Sequence, residues 1–362
     1  MKKLYSVCLI LALIVSCKEK NEQKPAENAP KADSSGLVLF VIGDVTNGGA
    51  KVKLGDTIKP KDLLKVGKKS ICDMQIKGTE ITMRVKELSE FSFESKTVGS
   101  KEDISAELQS GSAIFNVQKM KSENGFSVKT PAHVVGVRGT KFETSVTADG
   151  KSKTNVYDGK VAAKIRIKEL ENISEEELRK SKNLTALLDS VSNTEVVLEK
   201  GQSTVGDIKQ AEKILKDTGL AEAVKNLDSA KVADIDTKID PAKTLEKTAK
   251  IAKEAKPSVA AIPPADFEKK LKEYEEIIAV ESSKLNDPNL SKTALTERAK
   301  QNEERILKRI EEITGKALEI LVLKNGTKIK GVIYQEGDKY IILTSSGKEE
   351  YEAKDVEGTE FN

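Results

Sequence analysis

Apolar and polar residues alternate with a period of two through residues 125–164. Phe126 and Val128 sit between polar neighbours, as do Thr140, Phe142, Thr144 and Val146. This alternation predicts extended strands with one face turned inward. Asp149-Gly150 and Asp158-Gly159 are tight-turn dipeptides between such strands. Gly136 and Gly139 flank Val137-Arg138, which predicts backbone there that a Cβ would obstruct. The same pattern runs through residues 36–167, punctuated at Gly48-Gly49, Gly55-Asp56, Gly78-Thr79, Gly111-Ser112 and Asn124-Gly125. Short strands between turns predict an all-β domain.

The period then changes. Ser174 fits an N-cap with Glu177 reaching back to its amide, and Leu178, Leu184, Leu187, Leu188 and Val191 follow at helical spacing. Residues 168–193 are thus expected as a helical insertion before a returning strand at 194–198, closing a β domain over 37–206. Residues 207–315 are rich in Ala, Lys, Glu, Leu and Ile. Helices are expected within 208–232, broken at Gly219. The Lys/Ala/Pro stretch 233–262 predicts a loose connector, weakest at 257–264, so 207–264 is read as helices plus linker. Trypsin is expected to cut first within 233–264 or within residues 18–35, and to separate two units. Phe267, Leu271, Tyr274 and Ile278 form one helical stripe, and Leu295, Ala299, Ile306, Ile310 and Ile313 another. With a turn at Asp287-Pro288-Asn289, an N-cap at Ser291 and a stop at Gly315, these predict a helical hairpin over 265–315. Each stripe is expected to pack on its partner helix, with a coiled-coil oligomer seam as the alternative. Residues 316–362 return to strands: 318–322, 327–334, 339–344, 348–353 and a short fifth from Asp355-Val356.

At the other end, Met1-Lys2-Lys3 and the apolar run Leu4–Val15 read as a signal too short to span a bilayer. Lys18–Ser35 has almost no apolar content and reads as a flexible tether. The segments are therefore 1–16 as signal and 17–36 as tether, followed by the β domain, the helical middle and the C-terminal strands.

Charge narrows the function classes. A third of the 362 residues are charged, yet the net charge is only +3, and aromatics are 4%. That balance predicts no nucleic-acid partner. Cys72 is the one cysteine of the body and, alternating with polar residues, is expected as a small buried apolar side chain. His133 is the only histidine, which excludes a histidine metal cluster or a catalytic triad with one to spare. It is expected to be structural or solvent-facing. There is no phosphate-binding loop, Cys-x-x-Cys or Gly-x-Ser-x-Gly. No active site can be assembled, no cofactor is expected, and catalysis is the least favoured class. Arg138 is expected to donate to turn carbonyls and pin adjacent strands, with binding of an anion or a partner's carboxylate as the alternative.

Several of these pieces, in order, resemble the FecR family. They are Val41–Val45, Leu54–Ile58, Leu108–Val117, Thr130-Pro131-Ala132, Gly136-Val137-Arg138-Gly139-Thr140-Lys141-Phe142, Tyr157–Val161 and Leu198–Gln202. The resemblance covers roughly residues 37–206. It marks Thr130, Pro131, Gly136, Val137, Arg138, Gly139, Thr140 and Phe142 as signature positions, structural or binding. The shape it implies is a twisted, solenoid-like β-roll. Leu13-Ile14-Val15-Ser16-Cys17 resembles a bacterial lipoprotein signal of the relaxed spirochaete type. That implies cleavage after Ser16, with Cys17 carrying diacylglyceryl and fatty acyl (palmitate-type) chains. Each buried CH₂ of such chains adds about 0.8 kcal/mol of anchoring. The C-terminal strands resemble small SH3-like or Sm-like barrels.

The expectation is a multidomain α+β chain: an N-terminal all-β FecR-like roll, a helical middle and a small C-terminal β-barrel. Its implied role is that of a non-catalytic, lipid-anchored envelope protein that binds, scaffolds or senses through an envelope protein partner. It would face the periplasm, from the outer rather than the inner membrane, with oligomeric state open. The alternative is a component of a FecR-type signalling system for iron or envelope sensing. FecR proteins of iron uptake place a cytoplasmic segment before a membrane span. Here only a signal and tether precede the β domain, so such a role is expected to run through a separate transmembrane partner.

Overall fold

The computed structural model describes residues 34–98, 101–118, 125–225, 227–277, 288–345 and 347–361. Ser16, Cys17 and the tether before residue 34 lie outside them, as do Asn124, Ile278 and Asp287. No described helix is long and apolar enough to cross a membrane.

Among the described residues, seventeen strands build the first sheet system. They are β1 (Gly36–Ile42), β2 (Val45–Asn47), β3 (Ala50–Lys51), β4 (Thr57–Ile58), β5 (Leu64–Val66), β6 (Ile71–Ile76), β7 (Ile81–Val85), β8 (Ser89–Val98), β9 (Lys101–Val117), β10 (Gly125–Lys129), β11 (His133–Val137), β12 (Thr140–Val146), β13 (Lys151–Asp158), β14 (Lys160–Ile165), β15 (Val196–Glu199), β16 (Gln202–Asp207) and β17 (Ser258–Ala261). Their pairings resolve into two layers. One runs β4-β1-β6-β7-β9-β12-β13-β16-β17. The other runs β3-β2-β5-β8-β9-β10-β11-β14-β15. The strand β9 belongs to both. The expected roll is thus a pair of sheets joined along one strand, with the core between them. That core includes Met74, Met83, Phe91, Phe93, Phe115, Phe126 and Phe142.

Gly111 is where β9 changes partners. Before it the strand pairs with β8 and β10, and after it with β7 and β12. Its φ is +81°, and a Cβ would sit 2.6 Å from Ser89 Cα and 2.7 Å from the Leu88 carbonyl. The turn expected at Gly111-Ser112 is therefore corrected to a twist inside a continuous strand.

The helical insertion forms as α1 (Glu175–Leu178) and α2 (Lys182–Ser192). Ser174 accepts from the Glu177 amide as expected, while Glu177 pairs with Lys180 instead of reaching back. After β16 come α3 (Ile208–Thr218), α4 (Ala221–Val224), α5 (Ile235–Lys238) and α6 (Pro241–Ala255). Here the loose connector expected over 233–262 is corrected. The helix α6 packs on α2 and α3, and β17 pairs with β16. Leu184, Leu187, Ile214, Leu215 and Ile251 share one apolar cluster, because neither α2 nor α3 alone can cover its stripe. The insertion and residues 207–255 are one helical layer.

The hairpin is also corrected. The helix α7 (Pro264–Glu276) lays Phe267, Leu271 and Tyr274 on Ile114 and Tyr157 of the sheet. The helix α8 (Pro288–Thr314) starts ahead of Ser291, and its Ile306 covers Leu37, Leu39 and Phe40 near β1. Gly315 ends it with φ +65° and its N–H on the Glu311 carbonyl, as expected. The strands β18 (Glu319–Leu323), β19 (Lys328–Glu336), β20 (Lys339–Thr344), β21 (Gly347–Glu352) and β22 (Val356–Phe361) then form an antiparallel sheet ordered β21-β20-β19-β18-β22. Leu321, Leu323, Ile333, Ile342 and Val356 are its core.

Candidate functional site

The signature residues are mostly fasteners. Thr130 opens a tight turn: its N–H donates to the His133 carbonyl at 2.8 Å, and its Oγ1 accepts from the His133 N–H at 3.0 Å. Pro131 and Ala132 fill the turn, and the Arg166 N–H donates to the Ala132 carbonyl at 3.0 Å. Gly139, with φ +71°, turns β11 into β12. Its carbonyl would lie 2.5 Å from a Cβ on Gly159, so the two turns abut closely. Thr140 Oγ1 donates to the Lys160 carbonyl at 2.8 Å and ties them together. Val137 is buried, and Phe142 stacks on Phe115 with centroids 4.9 Å apart. Gly136 differs from expectation: its φ is not positive, and the nearest atom to a Cβ is the Ala162 carbonyl at 3.8 Å.

Arg138 reverses its expected role. It is exposed, and among the described residues no hydrogen bond or ion pair holds its guanidinium. The staple is Arg166, whose side chain is 3% exposed. It donates to the Thr130 carbonyl at 3.1 Å, to both Glu171 oxygens at 2.8 Å and to Glu107 at 3.0 Å. Burial pushes the Glu171 carboxyl up, but Arg166 outweighs it and holds the group below the usual range.

His133 is structural rather than solvent-facing. It is fully buried against Gly206 with neither ring nitrogen bonded, and burial holds its pKa down to about 4. Cys72 is a buried apolar side chain whose thiol is pushed up by burial and then by Asp73.

One cluster has no counterpart in the sequence reading. Across the first sheet, Asp73, Arg84, Ile114, Glu143, Asn155, Ser203 and Ala260 stand in a single register row. Of these, Arg84, Glu143 and Asn155 line a cleft with α7, and Ile114 packs beneath it. Arg84 grips Asp73 with two bonds of 2.7 and 2.8 Å, both side chains buried. Beside them Lys86 lies 3.7 Å from Glu143 and 3.1 Å from Glu273, and Lys270 lies 2.8 Å from Glu143 and 3.0 Å from Glu273. Burial would raise the Glu273 carboxyl, yet Lys86 and Lys270 hold it below its usual range. Burial and then Glu143 push the Tyr157 hydroxyl up. Lys270 and Glu273, three apart on a helix, were legible as a pair. Their meeting with Glu143 was not, because nothing local brings β12 to α7. No group of three or more His, Cys, Asp or Glu among the described residues could hold a metal ion.

The model of the family described as FecR protein matches residues 62–162, so this part of the chain carries a FecR domain. No curated protein matches the chain. Two crystal structures of a candidate anti-sigma factor from Parabacteroides distasonis are similar at 13% identity, with a TM-score of 0.28. The match covers 43% of this chain, which spans 64% of the other's length. A TM-score of that size does not establish a shared fold.

Proposed function

We propose that this chain is a lipid-tethered envelope protein whose FecR domain binds another protein, for scaffolding or sensing, without catalysing a reaction. The observation that carries this is Arg138: an exposed guanidinium with no partner among the described residues, on a turn fastened from both sides. A rigid mount with a free planar donor suits a partner's carboxylate. Cys17 supplies the anchor in this reading, on the periplasmic face of the outer membrane.

The test is cross-linked capture from detergent-solubilised envelopes. Arg138→Ala should keep the melting temperature and lose the captured partner, and Arg138→Lys should restore it in part. Equal capture by the Ala variant removes Arg138 from the interface. Cys17→Ala should leave the detergent-rich phase, and continued partitioning there rejects the anchor. The identity of the partner separates two versions. The FecR domain at 62–162 supports a signalling component, for which a transporter or transmembrane regulator should be captured. Structural envelope proteins would instead favour scaffolding.

A further inference from the structure

A cleft of about 450 Å³ opens between the first sheet and α7. Its floor holds Arg84, Lys86, Glu143 and Asn155, and α7 gives the wall with Lys270 and Glu273. Most of this charge is cancelled internally. Arg84 is matched by Asp73, and the two lysines alternate with the two glutamates in a closed quartet. What remains uncancelled is at the rim. Lys153 and Lys269 line the cleft and have no ion-pair partner among the described residues, against one carboxylate, Asp266. Deeper in, Asn155 is 9% exposed, and its Oδ1 has no hydrogen-bond partner. An unpaired buried amide oxygen is costly and wants an N–H or O–H donor. The volume is in the range of small-molecule sites.

We propose that this cleft binds a small organic anion that also carries a hydroxyl or amino group. The carboxylate meets Lys153 and Lys269, and the donor group meets Asn155. The quartet holds α7 over the sheet so that the site stays formed. This proposal does not depend on the protein-binding role of Arg138, which lies on a separate turn.

The experiment is a titration of the full chain, at constant ionic strength, with gluconate, citrate, glutamate and, as a donor-free control, hexanoate. Melting temperature and calorimetric heat are both read. At least one of the first three should raise the melting temperature saturably, with hexanoate at least tenfold weaker. Lys153→Ala/Lys269→Ala, both at exposed positions, should keep the fold by circular dichroism and weaken binding at least tenfold. Asn155→Ser should shrink the preference over hexanoate. No saturable binding of any of the three overturns the proposal. So does binding that is unchanged in both variants, or a shift that hexanoate reproduces in full.

Discussion

Arg166 is the residue whose loss the β domain should feel most. Removing it leaves Glu107 and the Thr130 carbonyl without this donor, and Glu171 with Lys129 alone. Breaking a buried pair costs about 3–5 kcal/mol, and the partly wetted carboxylates put Arg166→Ala at the lower end. Urea denaturation should show a loss of about 3 kcal/mol; an unchanged midpoint rejects the staple. His133 adds a pH signature. Its folded pKa is about 4, against roughly 6.5 in an unfolded chain. The unfolded state therefore takes up the proton first. The contribution is whole above pH 6.5 and is lost as pH falls through 4, about 3 kcal/mol in all. Glu171 acts in the same direction at lower pH, since its contribution is complete above the ordinary carboxylate range and lost below its depressed folded value. His133→Leu should flatten the stability curve between pH 6.5 and 4 and leave the acid limb. Equal slopes in both proteins would show that the buried neutral ring is not the cause.

At the scale of elements, α5 is joined to the start of α2 by Asp236. Its carboxylate accepts from Ser181 Oγ at 2.6 Å, the Lys182 N–H at 2.7 Å and Asn183 Nδ2 at 2.7 Å, capping α2 from a distant segment. Asp236→Ala should cost about 1–2 kcal/mol and hasten tryptic cutting near Lys231 and Lys238. In the unaltered chain residues 241–255 should resist trypsin, and an early cut there would reject their docking. This helix was hidden because its inward stripe is Thr244, Thr248, Ile251 and Ala255, while its large apolar residue Leu245 is 61% exposed. A pattern read by Leu and Ile misses a core built on threonines. The prolines misled as well: Pro241 and Pro264 stand in the first turns of α6 and α7, where their missing N–H costs nothing. Local chemistry was legible. The strand at Thr140–Val146, the Ser174 cap, the Gly315 stop and the C-terminal strands could all be read from neighbours in sequence. What lay beyond reach was every contact that joins distant segments, including the Arg84–Glu143–Asn155 row and the choice of Arg166 over Arg138.

For the whole molecule, the first sheet is covered on both faces. The core lies on one side, and Tyr274, Phe267 and Ile277 cover Ile114 and Tyr157 on the other. Tyr157 makes ring contacts at 5.5 Å with Phe267 and 5.6 Å with Tyr274. A chain ending at residue 262 loses this cover. Re-exposing an Ile and a Tyr costs about 3–5 kcal/mol. Such a truncation should melt well below the full chain and bind a hydrophobic dye. A truncated protein with an unchanged melting temperature would restore the picture of separable units.

The same cover sets a timetable. The central strand β9 has neighbours both earlier and later in the chain, and Leu37 and Leu39 of β1 wait for Ile306. Contacts so far apart in sequence make folding slow, on the order of milliseconds to seconds. A chain synthesised amino end first therefore carries Leu37 and Leu39 of its first strand uncovered until α8 arrives. A contact made that late acts as a latch, so Ile306→Ala should speed unfolding in urea and leave the refolding rate nearly unchanged; a slowed refolding with unaltered unfolding would reject the late closure.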